Sequence, residues 1–209
     1  MYLRINPEKI DYKSLDKSVS ILQKGGLIIY PTDTVYAIGC LISNLQGAER
    51  LAKIKNVKLL KANFTVVCKD FSHLSNYTKP ISNSLFRILK HALPGPYTFI
   101  LPAGNNLPKV FRENKKSIGL RVPNNPIVSY LVEKCGEPLI SSSLHDEHDE
   151  IMEYFTEPEL IYESFKSKVD LMIDGGFGNI FPSTIVDCTG NEPVVLRKGL
   201  GDVSFLNSF

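Results

Sequence analysis

Short apolar runs alternate with amphipathic segments of helical spacing along most of this 209-residue chain, and this alternation constrains the fold more than any other feature. Apolar runs of four to eight residues fit buried strands, whereas apolar residues at i, i+3, i+4 and i+7 fit one face of a helix. Strands are predicted at 27–30, 64–68, 97–101, 117–122, 139–142, 169–173, 184–188 and 194–197, and helices at 14–24, 44–55, 81–92, 127–135 and 159–165. The consecutive strands at the end require some antiparallel pairing. We therefore expect an α/β protein whose mixed parallel and antiparallel sheet is covered by helices.

Capping residues mark the ends of the first two helices. Ser14 precedes the apolar positions of the first helix and is predicted to cap it, and Gly25 is predicted to end it. Either Ser43 or Asn44 can cap the second helix. No repeat, low-complexity tract or linker divides the chain, so residues 1–209 are expected to form a single domain.

The composition argues against several classes of protein. A hydrophobic fraction of 43% and a charged fraction of 22% are ordinary for globular proteins and argue against disorder. No run approaches the ~18 apolar residues of a membrane span, and the first residues contain no apolar signal segment. The four cysteines lie singly in apolar runs, which predicts reduced, buried thiols. We expect a cytoplasmic protein with no membrane partner.

The net charge of +2 conceals a strong separation of charge along the chain. Residues 50–121 contain fourteen Lys or Arg and two acidic residues, whereas residues 145–174 contain ten acidic residues and two Lys. Such asymmetry indicates a polyanionic ligand, either a nucleotide or a nucleic acid. Part of the acidic region, 146–157, is predicted to be a surface loop or a frayed helix.

Hydroxyl-rich segments follow two of the predicted strands. The segment PTDTVY at 31–36 places Thr32, Asp33 and Thr34 at the carboxyl end of a strand, where ligands bind in open α/β sheets. The segment ISSSLH at 140–145 places three serines at another strand end. Each segment also fits an ordinary polar turn, so neither one alone identifies a site.

Arg121 lies inside the apolar run IGLRV, where its guanidinium needs a partner to offset desolvation. The partner is either a ligand carboxylate or phosphate, which we favour, or an internal acidic residue. Arg197 in VVLRKG invites the same argument. Lys53, Lys55, Lys58 and Lys61 lie around a helix end, either as a solvated face or with one of them in a phosphate site.

Several standard sites are excluded. The chain contains no Walker motif, no G-x-G-x-x-G after a strand and no G-x-S-x-G. Gly175, Gly176 and Gly178 are predicted to form a turn, because no helix follows them. His145 and His148 lie among acidic residues, but no second ligand cluster supports a metal site, so no protein-bound metal is expected.

Taken in order, these segments resemble the YrdC-like family, the threonylcarbamoyl-adenylate synthases. GGLIIYPTDTVYAIGC, PGPYTFIL, LRVPNNP, DGG, STIVD and LRKG are similar to its motifs, and the resemblance covers about 25–201. It implies a twisted mixed sheet with helices around a deep basic cavity. It also implies a nucleotidyltransferase that joins threonine, bicarbonate and ATP into threonylcarbamoyl-AMP for tRNA modification, with Mg²⁺ held chiefly by the ATP phosphates.

The resemblance carries site roles over to residues of this chain. Thr32 and Thr34 are implied to line the amino-acid pocket, and Arg121 to hold the threonine carboxylate. Lys55 is implied to contact ATP phosphate, with Lys55, Arg121 and Ser143 as the catalytic set. The remaining implied contacts are Ser141 and Ser143 to the nucleotide, Asn63 and Thr98 in the cavity wall, and Ser183 and Arg197 closing the pocket.

Three positions depart from the pattern of the synthases. Their K-x-R motif is Lys55, Asn56, Val57 here, and their S-x-N motif is Ser143, Leu144, His145. Cys68 stands where those enzymes commonly have histidine. In these respects the chain is similar to the YciO branch of the family.

Three hypotheses follow from the retained and the missing residues. The first is an ATP-dependent threonylcarbamoyl-AMP synthase, based on Lys55, Arg121 and Ser143. The second is a protein that binds nucleotide, double-stranded RNA or tRNA in the same cavity without catalysis, based on Val57, His145 and the charge separation. The third makes the charge a solubility device only.

Overall fold

The computed structural model describes residues 1–112, 116–144 and 156–208. Its strands form one ten-stranded sheet. They are β1 (Tyr2–Arg4), β2 (Ile28–Tyr30), β3 (Ala37–Leu41), β4 (Thr65–Val67), β5 (Tyr97–Pro102), β6 (Ser117–Arg121), β7 (Leu139–Ser143), β8 (Leu171–Asp174), β9 (Thr184–Asp187) and β10 (Val194–Arg197). The order across the sheet is β1-β8-β2-β3-β7-β4-β6-β5-β9-β10.

The sheet mixes the two kinds of strand pairing, as the sequence predicts. The pairs β1–β8, β2–β8, β4–β6 and β5–β9 are parallel. The pairs β2–β3, β3–β7, β4–β7, β5–β6 and β9–β10 are antiparallel. The expected α/β class with a mixed sheet is confirmed.

Seven α-helices accompany the sheet in the described part of the chain. They are α1 (Tyr12–Gln23), α2 (Leu45–Ile54), α3 (Phe71–Ser75), α4 (Asn83–Ala92), α5 (Lys109–Arg112), α6 (Pro126–Cys135) and α7 (Pro158–Phe165). Short 3₁₀ helices lie at Leu59–Lys61 and Ser204–Ser208. Asn44 caps α2 by accepting from Gly47 N, which selects one of the two predicted caps.

The predicted cap of the first helix is wrong. Asp11, not Ser14, caps α1, because its carboxylate accepts from the Ser14 backbone N–H, so the helix begins two residues before Ser14. The predicted end is confirmed: Gly25 has φ of 87° and Gly26 N–H donates to Ile21 O at 2.9 Å.

Two apolar cores lie on the two faces of the sheet, because successive side chains of a strand point to opposite faces. Helices α2 and α4 contribute Leu51 and Leu89 to the first core, which also contains Ile29, Val66 and Phe99 from the strands. Helices α1 and α6 contribute to the second core. That core contains Leu15, Leu22, Ile127, Leu131, Ile28, Tyr30, Ala37, Val67 and Leu139.

Polar side chains occupy the part of the second face that runs from β7 to β5. Val66, Leu120, Phe99 and Ile140 belong to the first core, so their alternating neighbours face the other way. These neighbours include Thr65, Thr98, Gly119, Arg121 and Ser141, with Ser143 two residues further along β7, whereas Val67 and Leu139 join the second core. A sheet face of this composition suits a solvated or ligand-binding surface.

The four cysteines are free thiols, as predicted. Cys40, Cys68 and Cys188 are buried, but Cys135 is only half-buried, which corrects the expectation of four buried thiols. Among the described residues, no helix is long and apolar enough to cross a membrane. Most of the acidic stretch, 146–155, lies outside the described residues, as do His145 and His148.

Candidate functional site

A cavity of about 300 Å³ opens on the polar part of the sheet face. Its volume lies at the lower end of the range for small-molecule sites. The lining residues are Ala37, Lys55, Val57, Lys61, Asn63, Phe64, Thr65, Val67, Thr98, Arg121, Ser141, Ser142, Ser143, Ser183, Ile185 and Arg197. They come from segments far apart in the sequence, which the sheet order brings together.

Gly119 gives the cavity floor its depth. Thr65 pairs with both Gly119 and Ser141, so β4 joins two lining strands. A Cβ added at Gly119 would lie 3.3 Å from Thr98 Cγ2 and 3.4 Å from Thr65 Oγ1. Any side chain at this position would therefore fill the space between Thr65 and Thr98.

Arg121 projects from the end of β6 and is held by the segment that follows β2. Its Nη2 donates to Asp33 Oδ1 at 2.5 Å and to Thr34 Oγ1 at 2.6 Å, and it lies 3.3 Å from Thr32 Oγ1. The other carboxylate oxygen of Asp33 accepts from Asn124 N at 2.9 Å. The internal acidic partner, which the sequence argument ranked second, therefore exists.

The ion pair leaves one donor of the guanidinium without a protein partner in the part of the chain that the structure describes. Arg121 is 7% exposed, and its Nε is buried without a hydrogen-bond partner in the described chain. A buried donor without a partner costs about 1–3 kcal/mol. A carboxylate or phosphate in the cavity would supply that partner.

Thr32 and Thr34 lie behind Arg121 rather than among the residues that line the cavity. Thr32 Oγ1 donates to Val35 O at 2.7 Å and accepts from Thr34 N at 3.0 Å. Hydrogen bonds within the turn therefore hold its shape. Both hydroxyls contact the Arg121 guanidinium. In this structure the two threonines orient Arg121.

Thr98, Ser183 and Arg197 form a connected part of the cavity lining. Thr98 Oγ1 and Ser183 Oγ lie 2.9 Å apart, and Arg197 Nη2 donates to Ser183 O at 2.8 Å. Burial lowers the pKa of Arg197, and the charge of Arg121 lowers it further. Two guanidinium groups therefore repel each other across one cavity, which an anion between them would relieve.

Ser141 is positioned by a residue that the sequence analysis did not select. Tyr30 is fully buried in the second core, and its hydroxyl donates to Ser141 Oγ at 2.7 Å. Glycine is needed at position 39 beside this contact, because a Cβ there would lie 2.5 Å from Ile140 O and 3.3 Å from the Tyr30 hydroxyl. Burial raises the pKa of Tyr30 to about 12, so the phenol remains a donor at neutral pH.

The 55–63 segment forms the rim above the floor. Asn56 has φ of 52°, and the turn after α2 is closed by Val57 N–H, which donates to Ala52 O at 2.9 Å. Lys55, Val57 and Asn63 then face the cavity, together with Lys61. Lys53 and Lys58 are exposed and do not line it.

Most of the residues that the family resemblance selects meet at this cavity. Those that line it are Lys55, Asn63, Thr98, Arg121, Ser141, Ser143, Ser183 and Arg197. Thr32 and Thr34 reach it only through Arg121. Tyr30, Thr65 and Gly119 were not predicted as site residues, and Asp33 was placed at the strand end without being paired with Arg121. Thr65 could have been identified as a polar residue in an apolar strand. No feature of the sequence indicates that Tyr30 belongs to the site.

The cavity is cationic. Lys55, Lys61, Arg121 and Arg197 line it, and no Asp or Glu is among the described lining residues. No group of three or more His, Cys, Asp or Glu that could hold a metal ion occurs within the ranges 1–112, 116–144 and 156–208. Since Mg²⁺ prefers oxygen ligands, a magnesium ion here would depend on oxygens of the substrate phosphates.

Similarity to known proteins covers nearly the whole chain. The chain is 40% identical over 203 residues to the protein YciO of Escherichia coli K12, covering 97% of each. The crystal structure of E. coli YciO superimposes with a TM-score of 0.90 over 98% of each chain.

Some more distant relatives are named for an enzymatic activity. The chain is 28% identical over 184 residues to the threonylcarbamoyl-AMP synthase of Coxiella burnetii, covering 87% of this chain and 97% of that protein. The crystal structure of P. abyssi Sua5 complexed with L-threonine matches at 25% identity and a TM-score of 0.83, over 95% of this chain and 57% of that one. A family model for the Sua5, YciO and YrdC proteins, described as telomere recombination, matches residues 20–199. This chain belongs to the Sua5/YciO/YrdC family.

Proposed function

We propose that this protein is an ATP-dependent nucleotidyltransferase of the threonylcarbamoyl-AMP synthase type. The observation that carries the proposal is the cavity itself, in which four cationic side chains surround the hydroxyl groups of Thr65, Thr98, Ser141, Ser143 and Ser183. Triphosphate and carboxylate groups are anionic and accept several hydrogen bonds, so this lining fits both. Its volume of about 300 Å³ favours a small molecule over a duplex.

In the proposed reaction, the amine of threonine attacks the carbon of bicarbonate, and loss of water gives a carbamate. A carbamate oxygen then attacks the α-phosphorus of ATP, and the bond to the β-phosphate oxygen breaks with release of pyrophosphate. The protein contributes position and charge compensation, so no covalent intermediate is required.

Roles for individual residues follow from their placement. Arg121 is assigned to the threonine carboxylate, because its buried Nε lacks a partner while Asp33 and Thr34 fix its Nη2. Lys55 is assigned to the ATP phosphates from the rim. Ser141 and Ser143 are assigned to the nucleotide, and Asn63, Thr98, Ser183 and Arg197 to the cavity wall.

Release of pyrophosphate tests the proposal directly. Purified protein with ATP, threonine, bicarbonate and magnesium should release pyrophosphate only when threonine is present. Lys55→Ala and Arg121→Ala should each lower the rate at least about tenfold, since each removes a charge-assisted contact. Lys53→Ala, an exposed lysine outside the cavity, is the matched control. Absence of threonine-dependent release above the Arg121→Ala level would refute the synthase assignment.

A second candidate function rests on Val57, which lines the cavity at the position where the synthases carry arginine. The loss of one charge-assisted contact, worth about 1.5–3 kcal/mol, would slow adenylyl transfer. Binding alone can rely on the cations that remain in the cavity. On this proposal the cavity binds nucleotide, double-stranded RNA or tRNA without adenylyl transfer. Such binding should weaken steeply as salt rises. Salt-insensitive or undetectable RNA binding would exclude the RNA form of this candidate.

A further inference from the structure

Lys61 is a cavity residue to which the proposed function assigns no role. Of the four lysines between residues 53 and 61, it shares the lining only with Lys55. Lys53 and Lys58 are exposed and do not line the cavity. Lys61 is exposed as well, so what distinguishes it from Lys53 and Lys58 is its place in the cavity lining.

The backbone around Lys61 is anchored on both sides. Lys61 ends the 3₁₀ helix Leu59–Lys61, in which Lys61 N–H donates to Lys58 O at 2.8 Å. Ala62 and Phe64, which follow it, are 3% and 5% exposed and belong to the first core. An exposed, flexible cation thus extends from an anchored stretch of backbone at the cavity that it lines.

The ammonium group of Lys61 has no acidic partner in the described part of the chain. None of the ion pairs or side-chain hydrogen bonds there involves it. Val57 contributes an apolar side chain to the same rim and packs against the first core. Lys61, a cation without an acidic partner among the described residues, thus lines the same cavity as Val57, the apolar residue at the position where the synthases carry arginine.

We propose that Lys61 binds the phosphates of the nucleotide and supplies the positive charge that Val57 does not. This inference rests on the proposed nucleotide site. An ammonium group acts as a point charge, without the forked geometry of a guanidinium. The site would therefore hold the triphosphate by charge more than by a fixed bidentate contact, and its affinity would fall with rising salt.

Calorimetric titration with magnesium ATP tests the assignment. Lys61→Ala should weaken binding about tenfold, the effect of one charge-assisted contact. Lys61→Arg should stay within about threefold of the unsubstituted protein, since it keeps the charge. Lys58→Ala, which removes an equal charge from the neighbouring exposed position, should change affinity less than about twofold. Adding Val57→Arg to Lys61→Ala should restore most of the lost affinity.

The outcomes separate this inference from the proposed function. If Lys61→Ala binds as tightly as Lys58→Ala while Lys55→Ala loses binding, the nucleotide site stands and the role of Lys61 is overturned. If Val57→Arg fails to recover binding, Lys61 does not take the place of the missing cation. If the unsubstituted protein binds no ATP, both proposals fail. Lys61→Gln provides a second neutral variant if Lys61→Ala does not fold, as judged by its circular dichroism.

Discussion

The guanidinium of Arg121 lies 2.5 Å from the carboxylate of Asp33, and the two side chains are only 9% and 10% exposed. This ion pair joins the end of β6 to the turn after β2. It uses Nη2 and leaves Nε without a partner among the described residues. The pair therefore fixes the orientation of Arg121 while one of its donors stays unpaired within the described chain.

Removal of the carboxylate at position 33 should destabilise the protein strongly. Asp33→Ala leaves Arg121 charged and buried, and breaking such a pair typically costs about 3–5 kcal/mol. Urea unfolding should show this loss in the free energy of unfolding. The double variant Asp33→Ala, Arg121→Met should regain a large part of it, because no buried charge remains. A loss below about 1 kcal/mol in the single variant would show that the pair is not a structural anchor.

The hydroxyl of Tyr30 should matter for ligand binding although it does not line the cavity. Tyr30→Phe removes the donor to Ser141 Oγ, which should lower the free energy of unfolding by about 1 kcal/mol. It should also weaken ATP binding a few-fold, because the Ser141 hydroxyl is then held only by its own donation to Ile38 O at 3.3 Å. Tyr97→Phe is the control, since the Tyr97 hydroxyl bonds to Asp202 O outside the cavity. Equal ATP affinities in the two variants would contradict the positioning role.

Acid should destabilise the protein partly through Asp174. Burial alone would raise the pKa of Asp174, but hydrogen bonds from Gly176 N, Tyr2 and Arg4 outweigh it and lower the pKa. A depressed pKa in the folded state gives stability that is complete above the unfolded value, about 3.9, and is lost as the pH falls below it. Asp174→Asn should be less stable at pH 7 and lose less further stability between pH 5 and 2. An unchanged slope of unfolding free energy against pH in this range would rule out the linkage.

Thiol reactivity should distinguish Cys135 from the other cysteines. Burial raises the pKa of Cys40 and Cys188 to about 12, that of Cys135 to about 11, and also raises that of Cys68. Only Cys135 is partly exposed. A disulfide reagent should therefore label one thiol slowly in the native protein and all four after unfolding. Cys135→Ser should abolish the native labelling, and persistence of that labelling would place an accessible thiol elsewhere.

The helices and most strands could be predicted because their patterns are local. Predicted strand 97–101 is β5 (Tyr97–Pro102), and predicted helix 127–135 is α6 (Pro126–Cys135). The short strands β1 (Tyr2–Arg4) and β3 (Ala37–Leu41) were not predicted. All five residues of β3 are buried, and Gly39 interrupts its apolar pattern, so periodicity does not identify it as a strand.

The site was harder to predict than the fold because its contacts join distant residues. Arg121 and Asp33 are 88 positions apart, and Tyr30 and Ser141 are 111 apart. The sequence indicated that Arg121 needs a partner, since it lies in an apolar strand, but it could not choose between Asp33 and a ligand. Similarly, the cluster of lysines at 53–61 was visible, yet only the turn at Asn56 decides which of them face the cavity.

A crystal structure of the protein grown with threonine and a non-hydrolysable α,β-methylene analogue of ATP tests the central claim most directly. We predict that the triphosphate lies in the cavity against Lys55 and Lys61, with the threonine carboxylate within hydrogen-bond distance of Arg121 Nε. Density for both ligands outside the cavity would contradict it. So would an empty cavity at ligand concentrations that saturate binding in solution.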